Sequence, residues 1–287
     1  MNYPAVILHS AYAATLSGGS WALPLTNAQD PDIGIVARST DPLNASTKFT
    51  ADLGSARQVG GLVLGPVNLS PASTYRFRGY SDVALTTLVY DSTVKAVSGS
   101  TVDWSSTANW LAWENPDFWL GIPDADSFAG LPLYLAEIPD VDKTARYWLV
   151  EMFDAANGDG AVRFGRFMIC KAYRPAFTFD EGNNALTPDF VGDVQETMGG
   201  LFNYWDRATR RSWRATFSSI SESEMFGPVF DMVFSSRLSR QVFVVPAPLD
   251  TANFRKRSFL ATFKQAPALV QLTAQRGSTA YDFLEVS

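Results

Sequence analysis

The stretch from Lys48 to Tyr80 constrains the fold of this chain more than any other. Phe49, Ala51 and Leu53 alternate with Thr50 and Asp52, the period of a strand with one apolar face. Gly54 and Ser55 break the run, and a turn is expected there. Val59 to Leu64 is short and almost wholly apolar, as in a central strand covered on both faces. Gly60 and Gly61 inside it point to close backbone approach or a bulge. Asn68 to Pro71 supplies the next turn. Thr74 to Tyr80 then alternates aromatic residues with Arg76 and Arg78, as a half-buried strand does. Three such strands in so short a span predict a β-sandwich.

The totals leave room for more than that. With 287 residues the chain is long for one sandwich and comfortable for two domains. Apolar residues make up 46% and charged residues 18%, enough to bury a large core and too few charges for disorder. The net charge of −6 argues against a nucleic-acid partner, which needs a basic patch. One cysteine, Cys170, rules out an internal disulfide and suits a reducing cytosol. Its apolar neighbours make it a core thiol. One histidine, His9, leaves His-based zinc sites and a Ser-His-Asp triad without partners; a structural role at a strand end is expected of it. No apolar run approaches the ~20 residues of a membrane span. The N-terminus lacks a positive region, and His9 and Ser10 break its apolar run. It reads as mature sequence, with a first strand at Ala5 to His9. The compartment expected is cytosolic or virion.

Residues 11 to 47 are loop-rich, with a short strand at Ile35 to Thr40. Residues 102 to 140 hold Trp104, Trp110, Trp113 and Trp119 among prolines and acids, and no period holds across them. A long structured loop is expected, followed by a strand at Leu133 to Ala136. Ala145 to Phe153 and Ala161 to Tyr173 flank the turn cluster Asp154 to Gly160 and read as a hairpin closing the first domain. Turn signals then place a linker at 175–190. Beyond it, Gly199 to Asp206 and Ser212 to Phe217 are strand-like. Ser221 and Glu224 form a capping box. Phe226, Phe230, Phe234 and Leu238 recur every four residues beside Met225, Val229 and Val233, giving one wide apolar helical face. Pro228 should kink or restart that helix. Strands at Val242 to Val245, Phe259 to Phe263, Leu269 to Ala274 and Tyr281 to Val286 complete an α+β unit. The expectation is a mainly β chain: an antiparallel sandwich over 1–174, a linker over 175–190, and over 191–287 a smaller domain with an antiparallel sheet and one helix.

Few residues point to chemistry. Asn157 to Gly160 matches part of a calcium loop, but Arg166 stands where the closing Glu belongs, and a hairpin turn is the stronger reading. Asp124 with Asp126, and Glu114 with Asp117, are paired acids in a Pro-rich loop; a hydrolase would need two such carboxyls facing across a cleft. No phosphate loop or nucleophile elbow is present. The Trp-rich loop offers flat apolar faces for sugar rings, with Trp110, Trp113, Asp117 and Trp119 as the binding set. The same rings also suit the end of the sandwich or a subunit contact. Arg207, Arg210 and Arg211, with Arg214, form a basic cluster read as a turn or an inter-subunit contact.

Two resemblances follow. Phe49 to Gly54 with Val59 to Leu64, then Ala145 to Glu151 with Val162 to Phe167, resemble galactose-binding-like (discoidin-type) jelly rolls over residues 1–174. No calcium- or sugar-binding residue of those relatives can be placed, so the resemblance implies fold alone. The order of phrases along the whole chain is similar to tailed-bacteriophage minor tail or baseplate proteins. These phrases are Asn27 to Pro31, Val36 to Thr40, Asn68 to Pro71, Tyr75 to Gly79, Ser212 to Phe217, Ser221 to Glu224, Phe243 to Pro248 and Phe283 to Glu285. The C-terminal third resembles distal-tail-type domains. This implies a non-enzymatic structural component of a tail tip, without cofactor or metal, assembled in the host cytoplasm with other tail proteins and further copies of itself. Arg207, Arg210, Arg211 and Phe254 are its expected assembly contacts, and the alternative is attachment to a host glycan through the loop 104–119.

Overall fold

The structure, a computed structural model, describes residues 5–97, 131–180, 182–189, 192–196, 202–206, 209–251, 253–273 and 275–286, with 192–196 and 202–206 described for backbone only. The chain is mainly β, and every strand pairing among the described residues is antiparallel. One sheet runs in the order Leu135–Glu137, Gly61–Val67, Arg163–Tyr173, Val6–His9, Val242–Val245, Phe259–Phe263, Arg276–Glu285, Arg210–Ser221 and Asn184–Asp189. A second sheet runs Thr15–Ser17, Phe49–Val59, Lys143–Phe153, Thr74–Tyr80 and Leu88–Asp91.

The second sheet packs on the first-half strands of the large one and makes a sandwich. Alternation decides which side chains meet. Leu62, Leu64, Phe167 and Ile169 come from one layer, and Phe49, Phe77, Trp148 and Val150 from the other. Phe49 stacks on Phe164 at 5.7 Å and meets Phe167 edge-on at 5.1 Å. Val63, Met168 and Cys170 point to the opposite face, where they pack with Phe243, Phe254 and Leu260. The expected strand over Val59 to Leu64 is divided: Val59 ends Phe49–Val59 in the second sheet, and Gly61–Val67 is the strand of the large sheet that is buried on both sides. Cys170 is a buried thiol, and burial pushes its pKa up to about 12.

Several local expectations are corrected. Gly54 and Ser55 do not turn the chain: Phe49–Val59 is one strand. Gly54 has φ 73° and its N–H bonds the Asp52 side chain at 2.8 Å, and the pairing with Lys143–Phe153 slips between Ala145 and Tyr147. The positive φ makes a bulge that the ladder absorbs. The turn lies instead at Gly60, where the chain leaves one sheet for the other. A Cβ there would stand 2.4 Å from that of Ala172, so only glycine lets the chain cross this close to Arg163–Tyr173. Lys143–Phe153 and Arg163–Tyr173 are not hairpin partners either. They belong to opposite layers, and the Asp154-to-Val162 connection crosses the sandwich. In that connection Asp154 accepts from the Ser70 N–H and hydroxyl, and Asn157 donates to Asp154 and to the Asn68 carbonyl. Within 175–190, Asn184–Asp189 is a strand paired with Arg210–Ser221.

The large sheet does not stop at the sandwich. Val6–His9 lies between Arg163–Tyr173 on one side and Val242–Val245 on the other. Ile7 packs into the core of the second half, with Trp213, Phe217, Tyr281 and Phe283. Val6 and Leu8 face the opposite way. His9 ends the strand buried, its Nδ1 2.9 Å from Ser10 Oγ, and Ser10 Oγ is 2.7 Å from Ser235 Oγ. Burial, with Lys171 close by, lowers the His9 pKa to about 4, so the ring is neutral at pH 7.

Two outcomes follow. Leu8→Ala should cost ~2–5 kcal/mol, measured by urea unfolding, with far-UV circular dichroism and tryptophan fluorescence moving together; an early transition that leaves one half folded would show the strand not to couple them. For His9, the unfolded chain binds the extra proton between about pH 6.5 and about 4, so stability falls as pH falls through that window and is level above it. His9→Gln should remove ~2–3 kcal/mol of the stability lost between neutral and acid pH; an unchanged pH slope would sink the assignment.

Candidate functional site

Three successive helical segments, Glu222–Glu224, Met225–Val229 and Phe230–Ser236, cross the core of the second half. Ser221 caps the first, its hydroxyl accepting from the Glu224 N–H at 3.2 Å. The reciprocal half of the capping box is not made. The Glu224 carboxylate accepts instead from the Tyr173 hydroxyl at 2.9 Å and the Ala176 N–H at 3.2 Å. Gly227 leaves helical geometry and Pro228 follows it, so the helix restarts there, as a missing N–H requires.

The helix has two apolar lines, and only one is buried. Met225, Val229 and Met232 pack on the sheet. Phe226, Phe230, Phe234 and Leu238 face outward, 56%, 47%, 69% and 52% exposed. Phe230 and Phe234 stack on each other at 6.0 Å with planes 11° apart. The sequence gives both lines the same period and reads them as one wide apolar face; the structure buries only the line of Met225 and Val229 and leaves the phenylalanines out. Of the four, Phe226 precedes the break at Gly227 and Leu238 follows Arg237, whose φ of 51° ends the helix, so the stacked pair Phe230 and Phe234 is the centre of the exposed apolar surface. Exposed charges bracket the row, Glu222 at its start, Asp231 beside it, and Arg237 and Arg240 at its end. None of the four forms an ion pair with a described residue.

A second feature is an open cleft of about 690 Å³ on the outer edge of the large sheet. Phe179, Leu186 and Trp213 form its apolar wall, and Asn184, Asp250 and Arg257 its polar groups. Trp213 Nε1 donates to Asn184 Oδ1 at 2.6 Å, which leaves the Asn184 amide nitrogen as the outward donor. Arg257 Nη1 lies 3.1 Å from Asp250 Oδ2, both partly exposed.

The expected contacts fall elsewhere. Trp110, Trp113, Asp117 and Trp119 lie outside the described residues, as does Arg207. Arg210 is half-buried on the strand paired with Asn184–Asp189. Arg211 is buried: its Nε donates to Glu285 Oε2 at 2.9 Å, its Nη2 to Oε1, and its Nη1 to the Arg255 carbonyl at 2.6 Å, with the guanidinium 4.9 Å over the Phe259 ring. Phe254 is buried against Phe243. These two side chains hold the fold together and present no surface to a partner. The basic cluster reads as a contact in sequence because Glu285, its partner, lies 74 residues away.

No family model and no curated protein matches this sequence. Three solved structures illustrate what the fold is similar to. One is the family 32 carbohydrate-binding module of Clostridium perfringens NanJ, in complex with galactose: 16% identity, 55% of this chain and 93% of that one, TM-score 0.34. Another is a family 32 module from a C. perfringens family 31 glycoside hydrolase: 12% identity, 55% and 94%, TM-score 0.32. The third is a fucolectin from striped bass serum: 13% identity, 73% and 69%, TM-score 0.33. At these scores no ligand or role passes from them to this chain.

Removing one partner of the buried ion pair tests its structural role. Arg211→Met should cost ~3–5 kcal/mol by leaving Glu285 charged and buried, and adding Glu285→Met should recover most of it in urea unfolding. A cost under ~1 kcal/mol for the single variant would show the pair to be dispensable.

Proposed function

We propose that this chain is a non-catalytic structural component of a tailed-phage tail tip, joined to its neighbours through its C-terminal half. The observation that carries this reading is the exposed row Phe226, Phe230, Phe234 and Leu238. Apolar surface left in water is costly at roughly 25 cal/mol per Å², and burying this row against other subunits is what would make assembly favourable. The order of phrases along the chain, similar to distal-tail-type proteins, supports the same reading. In this proposal residues 1–174 form the outward or bracing sandwich and residues 191–287 the assembly unit. The protein is built into virions in the host cytoplasm beside other tail proteins. The test is complementation of a phage lacking the gene. Phe230→Asp with Phe234→Asp should leave a soluble, folded chain that is missing from purified particles; incorporation at the wild-type level would reject the proposal.

A second reading, attachment to a host glycan, is favoured by the cleft. A sugar ring fits an apolar wall such as Phe179 and Leu186, while its hydroxyls would take hydrogen bonds from Arg257 and Asn184 and give them to Asp250. The loop 104–119, with Trp110, Trp113, Asp117 and Trp119, is the other surface this reading would use. Binding on a glycan array that drops at least tenfold on Asp250→Ala assigns it to the cleft. Binding that drops on Trp113→Ala instead assigns it to the loop, and no binding by the wild-type chain ends this reading.

A further inference from the structure

We infer that a cavity beside Arg166 binds a small carboxylic acid with an apolar body, its carboxylate held by the Arg166 guanidinium. The site shares no residue with the helical row or with the cleft, and the inference depends on neither. The cavity has a volume of about 260 Å³. It lies where Ala11 to Ala14 continues from Val6–His9 alongside Arg163–Tyr173, tied to that strand by the Tyr12 N–H, which donates to the Ile169 carbonyl at 2.8 Å. Gln29 borders it as well. The chain near Ile33 can press onto Arg163–Tyr173 because Gly165 has no side chain: a Cβ there would stand 2.4 Å from the Ile33 carbonyl oxygen. The Gln29 carbonyl, a few residues earlier, meets Arg166, whose Nη1 donates to it.

Charge is the first argument. Arg166 is partly buried and forms no ion pair with a described residue. Every other partly buried arginine of residues 1–174 meets a carboxylate: Arg76 that of Asp91, Arg78 that of Glu151, Arg146 that of Asp52 and Arg174 that of Asp142. Asp30 acts on Arg166 only from a distance; it is exposed, and its Oδ1 accepts the Asp32 N–H at 2.9 Å. Of the guanidinium donors, only Nη1 is engaged. Nε is buried without a partner, and Nη2 bonds no described residue. Burial lowers the Arg166 pKa from the usual guanidinium value, yet the group stays charged. A desolvated cation without its counter-charge is costly, and an anion in the cavity supplies it. The walls decide which anion. Ala11, Ala13, Ala14, Phe167 and Ile169 are apolar. The other polar side chains are already engaged, the Tyr12 hydroxyl donating to the Gln58 carbonyl at 2.9 Å and the Gln29 amide to the Ala14 carbonyl at 2.5 Å. One guanidinium suits one carboxylate in charge and in geometry. A phosphate dianion would need a second cation, and a hydroxyl-rich sugar would find too few partners. The volume falls just under the ~300 Å³ at which pockets for drug-sized ligands begin, so the acid is a small one.

The test is isothermal titration calorimetry of the purified full chain, with circular dichroism confirming that each variant is folded. The probes are benzoate and butyrate, their neutral amides benzamide and butyramide, and glucuronate and inorganic phosphate. At least one of the two carboxylates should bind saturably, and its amide at least tenfold more weakly. Arg166→Gln keeps a donor for the Gln29 carbonyl and removes the charge; it should weaken carboxylate binding at least tenfold. Ala13→Leu fills the cavity from an exposed position and leaves Arg166 in place. It should weaken binding by a similar factor, and it carries the test if Arg166→Gln does not fold. No binding of either carboxylate at millimolar concentration, equal binding of the amides, or tighter binding of phosphate or glucuronate would each overturn the inference. So would carboxylate binding left unchanged by either variant that folds.

Discussion

Four residues at the N-terminal end of the described chain make two halves one body. Val6–His9 is hydrogen-bonded on both edges, to Arg163–Tyr173 and to Val242–Val245. All four of its side chains are buried. An unpaired backbone group in such a place would cost a hydrogen bond without water to replace it. Each half therefore depends on this strand to satisfy its own edge. Alternation adds a second tie, since Ile7 enters one core while Val6 and Leu8 enter another. The two halves share one large sheet, and along Arg163–Tyr173 the side chains that meet the sandwich partner, Phe167 and Ile169, and the one that meets the helix side, Tyr173, lie on the same face of it.

That arrangement explains where the interior charges sit. Arg211 and Glu285 lie on adjacent strands of the second half, inside the region where the Arg255-to-Ser258 segment turns back on the sheet. The guanidinium donates to that segment's carbonyls, those of Arg255, Lys256 and Ser258. Buried pairs contribute little net stability, because desolvation offsets their attraction. This one has a positional role, fixing a segment that carries Phe254 into the face shared by both halves.

Much of this was legible in the sequence, and the failures share a cause. Strand runs such as Thr74 to Tyr80 and Ala145 to Phe153 are found where alternation and apolar content put them, while the run Val59 to Leu64 is split at Gly60 between two sheets. Which strands pair could not be read, because period reports burial and says nothing of partners. Lys143–Phe153 and Arg163–Tyr173 look like a hairpin across a turn cluster, and the layers separate them. Gly54 and Gly60 carry the same local signal, yet only Gly60 changes sheets, for a reason set by Ala172 far along the chain. The candidate surface was half legible. The helix, its cap and its kink at Pro228 could be read, but two apolar lines of equal period left its orientation open. Gly277 decides it. A Cβ there would lie 2.4 Å from Met225 Sδ, so the notch on that strand accepts the slender methionine and turns the phenylalanines out.

The outward row is also held rigidly, and that bears on what it can do. The helix is fixed at its start by the Ser221 cap, along its first turn by Glu224 accepting from Tyr173 and Ala176, and at its far end by Ser235 against Ser10. Three of those partners, Ser10, Tyr173 and Ala176, belong to the strand pair, or its immediate extensions, that joins the two halves. Docking normally loses free energy to the ordering of loops and side chains. A row whose backbone is already pinned, and whose Phe230 and Phe234 rings already stack, loses less. The strand that unites the fold is thus also the support of its exposed apolar face. A partner seated on that face would meet a surface already in its bound shape, and would be connected through one continuous sheet to the sandwich at the other end.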